Sequence, residues 1–373
     1  MDASCDVLVV GAGPAGCAAA VAARGAAPGL AVTVVDAARF PREKLCGGAI
    51  TGGGQRELAL AGLSLRVPHA VATHVVLRAA GISQRVELPH PAVVVRRVEL
   101  DADLVAQARA AGASVVEGAA LQDIEGDVAR TALGPVRFRA LVAADGVGGA
   151  SRRALGLPAG RRVPLRETRQ PSPRQGDLLF DLDAGVAGYA WRFPCIDGGR
   201  GFETCGVYSV QRDGALDAAL SRFTEREGVA LGLAVPSAMR LFEPRAPVGV
   251  GRALLAGEAL GADPLAGEGI RYALWSGRIA GALAARAAAR NRAPSLADYR
   301  AQLLASRSGL LLQLTSRIAL RLYGADPRWR RVAADRPVAE ALAALISGEA
   351  PVGPLARLLW RFPAAVRRSR GPE

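Results

Sequence analysis

Of the 47 basic side chains only Lys44 is a lysine, and the chain holds just 5 cysteines and 3 histidines. A net charge of +13 would suggest a nucleic-acid binder. Here the arginine skew accompanies an Ala- and Gly-rich composition, the mark of a GC-rich genome, and 34 acidic side chains are interleaved with the basic ones. No basic stripe for nucleic acid is expected through most of the chain. The cysteines, at positions 5, 17, 46, 195 and 205, form no C-x-x-C pair. Their odd number suits a reducing compartment rather than a disulfide framework. No metal site is expected either, since His69, His74 and His90 lack ligand spacing. No stretch reaches about 18 uninterrupted apolar residues, and the N-terminus runs into a strand pattern without a basic region or cleavage site. The expectation is a cytoplasmic protein with no transmembrane anchor.

What is present is enough for a large core: 373 residues, 50% hydrophobic and 22% charged, fit two or three domains and rule out a disordered or collagenous chain. Cys5 to Val10 is a short apolar run ending in Gly11-Ala12-Gly13-Pro14-Ala15-Gly16, followed by an Ala-rich helical stretch to Arg24. A second apolar run, Ala31 to Val35, ends in Asp36, 20 residues after Gly16. Strand, G-x-G-x-x-G, helix, strand and acid together make the dinucleotide fingerprint in its required context. Gly11 allows the tight turn, Gly13 lets the backbone approach a pyrophosphate, and Gly16 lets helix and strand pack closely. The helix that opens with Pro14 offers the free N–H groups of its first turn, that of Ala15 among them, to the phosphates, and Asp36 suits the ribose hydroxyls.

NAD and FAD share this fingerprint, and three distant segments choose between them. Arg97 opens a strand-to-helix junction, Ala140 to Gly146 is an apolar strand ending in Asp145-Gly146, and Arg252 to Gly257 is another that leads through Glu258 to Ile270. Their order and spacing resemble the FAD-dependent oxidoreductases of the glutathione-reductase and hydroxylase type. That resemblance implies Arg97 along the FAD phosphates or adenosine, Asp145 and Gly146 near the pyrophosphate, and Gly257 with Glu258 on the ribityl or phosphate side. It also implies that Pro264, Gly267, Gly269 and Ile270 open a helix towards the flavin pyrimidine. Two departures from the pattern stand out: Glu258 replaces the usual Asp, and Gly149 occupies the place where hydroxylases put Ser.

Two further segments narrow the resemblance. Pro41-Arg42-Glu43-Lys44-Leu45-Cys46-Gly47-Gly48 and Tyr189-Ala190-Trp191-Arg192-Phe193-Pro194, with the Asp263 to Ile270 segment, look like the geranylgeranyl reductase family of flavoproteins over residues 1 to about 300. The family resemblance implies FAD-dependent reduction of carbon–carbon double bonds in an isoprenoid or similarly apolar substrate, by hydride transfer from the flavin. Cys46, between Lys44 and the Gly47-Gly48 pair, becomes a candidate for the flavin-proximal face, either as a proton donor or as a small pocket-lining group. Lys44 is a candidate for a site that needs a compact ammonium. Trp191, with Tyr189 and Phe193 at period two, is a candidate wall of the cavity. No second G-x-G-x-x-G appears, so electrons must come from transient NAD(P)H binding or from a partner reductase or ferredoxin. Rival readings are a flavin monooxygenase and, on a third footing, a non-catalytic prenyl-chain carrier. A halogenase is disfavoured, because Lys44 lies in the wrong segment for the halogenase lysine and Tyr189 replaces the first Trp of W-x-W-x-I-P.

The fold expected is α/β: a Rossmann-like FAD-binding domain from 1–65, 96–165 and 245–295, and a discontinuous antiparallel β-sheet substrate domain from 66–95 and 166–244. A helical region from 296–373 follows. Residues 301–373 carry 12 arginines against 5 acids. Helical spacing there predicts Leu296 to Tyr323, Pro337 to Ile346 and Pro354 to Phe362. These helices suit either a cover on the substrate domain with a solvated Arg face, or a peripheral contact with the anionic inner face of a membrane.

Overall fold

The computed structural model describes residues 3–172, 176–211, 215–230, 232–324 and 328–348. Three sheets organise them. The first has six strands in the order Gly249–Val250, Ala253–Leu255, Ala140–Ala143, Val7–Val10, Val32–Asp36 and Ser114–Glu117, parallel except at the first edge. Its central strands, Val7–Val10 and Ala140–Ala143, are buried along their whole length, as near-continuous apolar runs in a parallel sheet must be. The G-x-G-x-x-G turn leaves Val10 at the C-terminal end of this sheet, where doubly wound folds bind ligands.

The fingerprint helix Pro14–Ala26 packs against the long helix Ile270–Ala289 through small residues. A Cβ added at Gly277 would lie 2.1 Å from the Ala15 carbonyl oxygen, and one at Gly281 would lie 2.0 Å from that of Ala19. The two helices therefore meet backbone to backbone. This fixes the start of the fingerprint helix relative to Gly269 and Ile270, the start of its partner.

The largest sheet has eight strands in the order Val235–Arg240, Arg162–Pro171, Arg200–Ser209, Gly188–Asp197, Leu178–Asp181, His69–Ala79, Ile82–Val95 and Ala49–Ile50. It is antiparallel except where Leu178–Asp181 runs parallel to His69–Ala79. A third, four-stranded sheet (Ala3–Ser4, Gly134–Arg137, Val128–Thr131, Leu121–Glu125) was not foreseen from the sequence. Its strands are short and rich in polar residues, so they carry little alternation to read.

The single helix expected over Leu296 to Tyr323 is two, Leu296–Ala305 and Arg307–Leu322. Ser306 breaks it: its Oγ accepts the Gly309 N–H at 3.1 Å and caps the second helix. Helices Arg328–Ala333 and Arg336–Ile346 complete a cover on the large sheet. Leu311, Leu322, Val338, Leu342 and Ile346 share one core with Val75, Leu178 and Trp191. Pro354 to Phe362, with Arg357, Trp360 and Arg361, lies outside the described residues, as do Arg367 and Arg368. Among the described residues no helix is long and apolar enough to cross a membrane.

Substituting Gly281→Val should push the two helices apart against the Ala19 carbonyl, at a cost of about 1–3 kcal/mol for overpacking. Calorimetry should show a lower Tm; an unchanged Tm would mean that the two helices do not meet this closely.

Candidate active site

One cavity of about 620 Å³ runs from the N-terminus of the fingerprint helix to the face of the large sheet. At the first end the glycines behave as their spacing demands. Gly11 takes φ +101°, and a Cβ there would stand 2.4 Å from the Ala144 carbonyl oxygen. A Cβ on Gly16 would fall 1.7 Å from the Gly11 carbonyl oxygen, so this glycine serves helix packing and does not line the cavity. Gly13 opens onto the cavity, its Cβ position 3.7 Å from the Arg42 guanidinium and 3.9 Å from that of Arg97. Gly13 is also the N-cap and offers no side-chain cap, so the first N–H groups of the helix stay open to an anion.

The charges around this end are held by specific partners. Asp36 accepts the Ala12 N–H at 2.7 Å and the Ala38 N–H at 2.8 Å. Arg97 donates twice to the buried Asp101, at 2.7 Å each, and Arg42 approaches the same carboxylate at 3.1 Å. Burial opposes the charge on Arg97, but Asp101 overrides it and raises the guanidinium pKa. Asp145 accepts the Ser151 N–H at 2.8 Å, while burial raises its pKa. A Cβ on Gly149 would sit 2.0 Å from the Asp145 carboxyl carbon, so a serine here would displace the Asp145 carboxylate from the Ser151 N–H it accepts. That accounts for one departure from the hydroxylase pattern. The other has a partner: Glu258 meets the lone lysine, Lys44, at 3.2 Å, joining the 41–48 loop to the Gly257–Ala259 turn.

Gly47, Gly48, Gly146, Gly257, Gly267, Gly269 and Ile270 all line the same cavity as Lys44 and Cys46. Pro264 does not. It lies beside the lining, where its carbonyl accepts the Tyr208 hydroxyl at 3.1 Å and ties the 263–270 segment to the large sheet.

At the second end Tyr189, Trp191 and Phe193 present one face of the strand Gly188–Asp197 to the cavity, with Phe180 at 5.3 Å from Tyr189 and 5.2 Å from Phe193 between ring centres. Two glycines seat the indole. A Cβ on Gly206 would stand 2.1 Å from Trp191 Cζ2, and one on Gly47 would stand 3.1 Å from Trp191 Nε1. Gly206 lies between Trp191 and Glu167 in the sheet register, so the indole lies across the gap towards that acid. The Tyr189 hydroxyl donates to the Ala266 carbonyl at 2.6 Å, tying the aromatic wall to the segment before Ile270. Cys46 lies between these walls, its sulfur accepting the Gly48 N–H at 3.4 Å.

Among the polar lining residues that the sequence does not single out are Arg42, Thr51, Glu167 and Glu268. Glu268, whose pKa burial raises, pairs with Arg271 at 3.2 Å and accepts the Thr51 hydroxyl. Arg42 and Glu268 lay inside the motifs already singled out and could have been found there. Glu167 sits in a strand of charged and polar residues, Arg166 to Gln170, which reads as solvated. Nothing local marks it.

The cavity therefore combines a dinucleotide cradle with an aromatic compartment, and the glycines whose Cβ positions open into it leave room for a bound dinucleotide. The same fold is seen in a geranylgeranyl bacteriochlorophyll reductase-like protein from Thermoplasma acidophilum, with a TM-score of 0.79 at 20% identity over 99% of both chains. It recurs in the flavin-dependent brominase Bmp2, with a TM-score of 0.74 at 17% identity over 93% of this chain and 94% of that one. Fold and site define an FAD-dependent oxidoreductase. No protein-family model matches the chain. Relatives do: a menaquinone reductase of Mycobacterium tuberculosis is 33% identical over 362 residues, 86% of this chain and 85% of that protein. One of Mycolicibacterium smegmatis is 31% identical over 324 residues, 76% of this chain and 77% of that protein. The chain belongs to the family of these menaquinone reductases and shares its fold with the geranylgeranyl bacteriochlorophyll reductase-like protein.

The purified protein should be yellow, with oxidised flavin bands. Gly13→Val should abolish them by filling the space below Arg42 and Arg97. A valine variant that keeps its full flavin complement would contradict this location of the cradle.

Proposed function

We propose that the chain reduces a carbon–carbon double bond of a polyprenyl acceptor, of which an isoprenoid quinone is the first to test. The observation that carries the reading is the continuity of one cavity from the open helix N-terminus to the wall of Tyr189, Trp191 and Phe193. The mycobacterial relatives add the quinone. A wall of this kind suits a flat or branched apolar chain better than a polar metabolite.

The chain's residues divide the work. The N–H groups after Gly13, with Arg42 and Arg97, would hold the pyrophosphate of FAD, and Asp36 its ribose. Gly47 and Gly48 would let the backbone approach the flavin ring, and Glu258, oriented by Lys44, would meet the ribityl side. Bound and reduced, FAD supplies the hydride. The aromatic compartment excludes water and holds the double bond in one orientation, which is the protein's share of such chemistry. Electrons would reach the site from transient NAD(P)H or from a partner electron-transfer protein. The exposed Leu310 and Leu320, with Arg317 and Arg321 on the same helix, would suit contact with the anionic membrane that holds a polyprenyl quinone.

The brominase fold relative makes oxygen chemistry the alternative. Anaerobically reduced protein mixed with menaquinone should return to the oxidised flavin spectrum and yield a saturated product. Turnover only in air, with an oxygen atom in the product, would overturn the reductase reading.

A further inference from the structure

Six carboxyl groups line the cavity: Asp36, Glu43, Asp145, Glu167, Glu258 and Glu268. Five are engaged. Asp36 and Asp145 accept backbone N–H groups, Glu43 pairs with Arg96 at 2.7 Å, Glu258 with Lys44, and Glu268 with Arg271 and Thr51. Glu167 differs: it is 1% exposed, and among the described residues its carboxyl makes no close hydrogen bond, the Cys46 N–H being a more distant partner. Trp191 Nε1, across Gly206 in the same row of the sheet, is likewise buried without an acceptor. Buried polar groups are rarely left in this state, and two of them on one cavity wall point to a ligand that completes them.

We infer that Glu167 is the proton donor of substrate reduction, an inference that rests on the reductase reading above. As a hydride from the reduced flavin forms a C–H bond at one carbon of the double bond, the other carbon takes the proton of the Glu167 carboxyl. The π bond is lost, the flavin is oxidised, and the carboxylate left behind recovers a proton from water. Trp191 lies beside the acid and fixes the acceptor against it.

The surroundings of Glu167 suit this task. Burial pushes its carboxyl from 4.5 up to about 7, offset in part by Arg169 on its own strand and by the Cys46 N–H on the loop above. Its neighbours in the flanking strands, Gly206 and Val235, carry no charge, and Cys195 is a further titratable group that feels it. An acid that titrates near neutrality is half-charged at working pH and transfers its proton with little driving-force penalty. The folded protein also keeps a proton that the unfolded chain releases between pH 4.5 and about 7, so this group's contribution to stability falls as pH rises through that window.

The test uses flavin-loaded protein, reduced anaerobically and mixed with menaquinone in single turnovers from acid to alkaline pH. The wild-type rate should fall as pH rises through the Glu167 titration. Glu167→Gln should keep its flavin, lose on the order of 10² in rate and lose that pH dependence, the scale of a missing general acid. Glu167→Asp should restore part of the rate. Independently of turnover, the Tm of Glu167→Gln should gain on that of wild type as pH rises, because glutamine never places a charge in the cavity. A glutamine variant with the wild-type rate and pH profile overturns the assignment while leaving the reductase reading intact. Wild-type protein that cannot reduce menaquinone without oxygen overturns both.

Discussion

Backbone must touch backbone at the start of the fingerprint helix, and the rest of the site depends on that contact. Gly16 rides on the Gly11 carbonyl, while Gly277 and Gly281 of the neighbouring helix rest on the carbonyls of Ala15 and Ala19. Any side chain at these glycines would lift the helix off the sheet or off its partner. Held in this way, the open N–H groups after Gly13 and the start of the helix at Ile270 face one cavity from two sides. The same device recurs at the other end, where Gly206 and Gly47 yield their side-chain space to the Trp191 indole. Glycine is thus spent where the cavity's shape is decided, and the conformational entropy it costs is offset by the packing it permits.

Electrostatics follows the same division. The cradle end is rich in charge, but each charge is tied: Asp101 gathers Arg97 and Arg42, and Lys44 answers Glu258. Pairing of this kind fixes the charged side chains in place, as an anion site requires. The aromatic end holds little charge, and Glu167, the acid that faces it, makes no close hydrogen bond or ion pair among the described residues. The contrast separates binding from chemistry within one continuous space.

Much of this was legible in the chain. The fingerprint could be read because its glycines answer to local geometry: Gly11 needs its positive φ and Gly16 its missing Cβ wherever they occur. The period-two aromatics at 189, 191 and 193 could be read because a strand puts alternate residues on one face. Less visible were features made by distant partners. Glu167 looks like a surface acid until Gly206 and Trp191 are set beside it, and nothing near Pro264 in the chain announces that Tyr208 holds its carbonyl. The break at Ser306 was hidden because apolar spacing continues across it while the cap works through a single hydroxyl. Sequence patterns report local geometry well, and they report pairings across hundreds of residues poorly.

One cavity would bring a flavin held by the fingerprint helix to the aromatic wall and to Glu167. A crystal structure of the FAD-loaded protein with menaquinone bound tests it most directly. The account predicts the flavin ring against Gly47 and Gly48, with the isoprenoid chain between it and Trp191 and its double bond within reach of the Glu167 carboxyl. A flavin whose ring points away from this compartment, or a quinone bound outside it, would contradict the account.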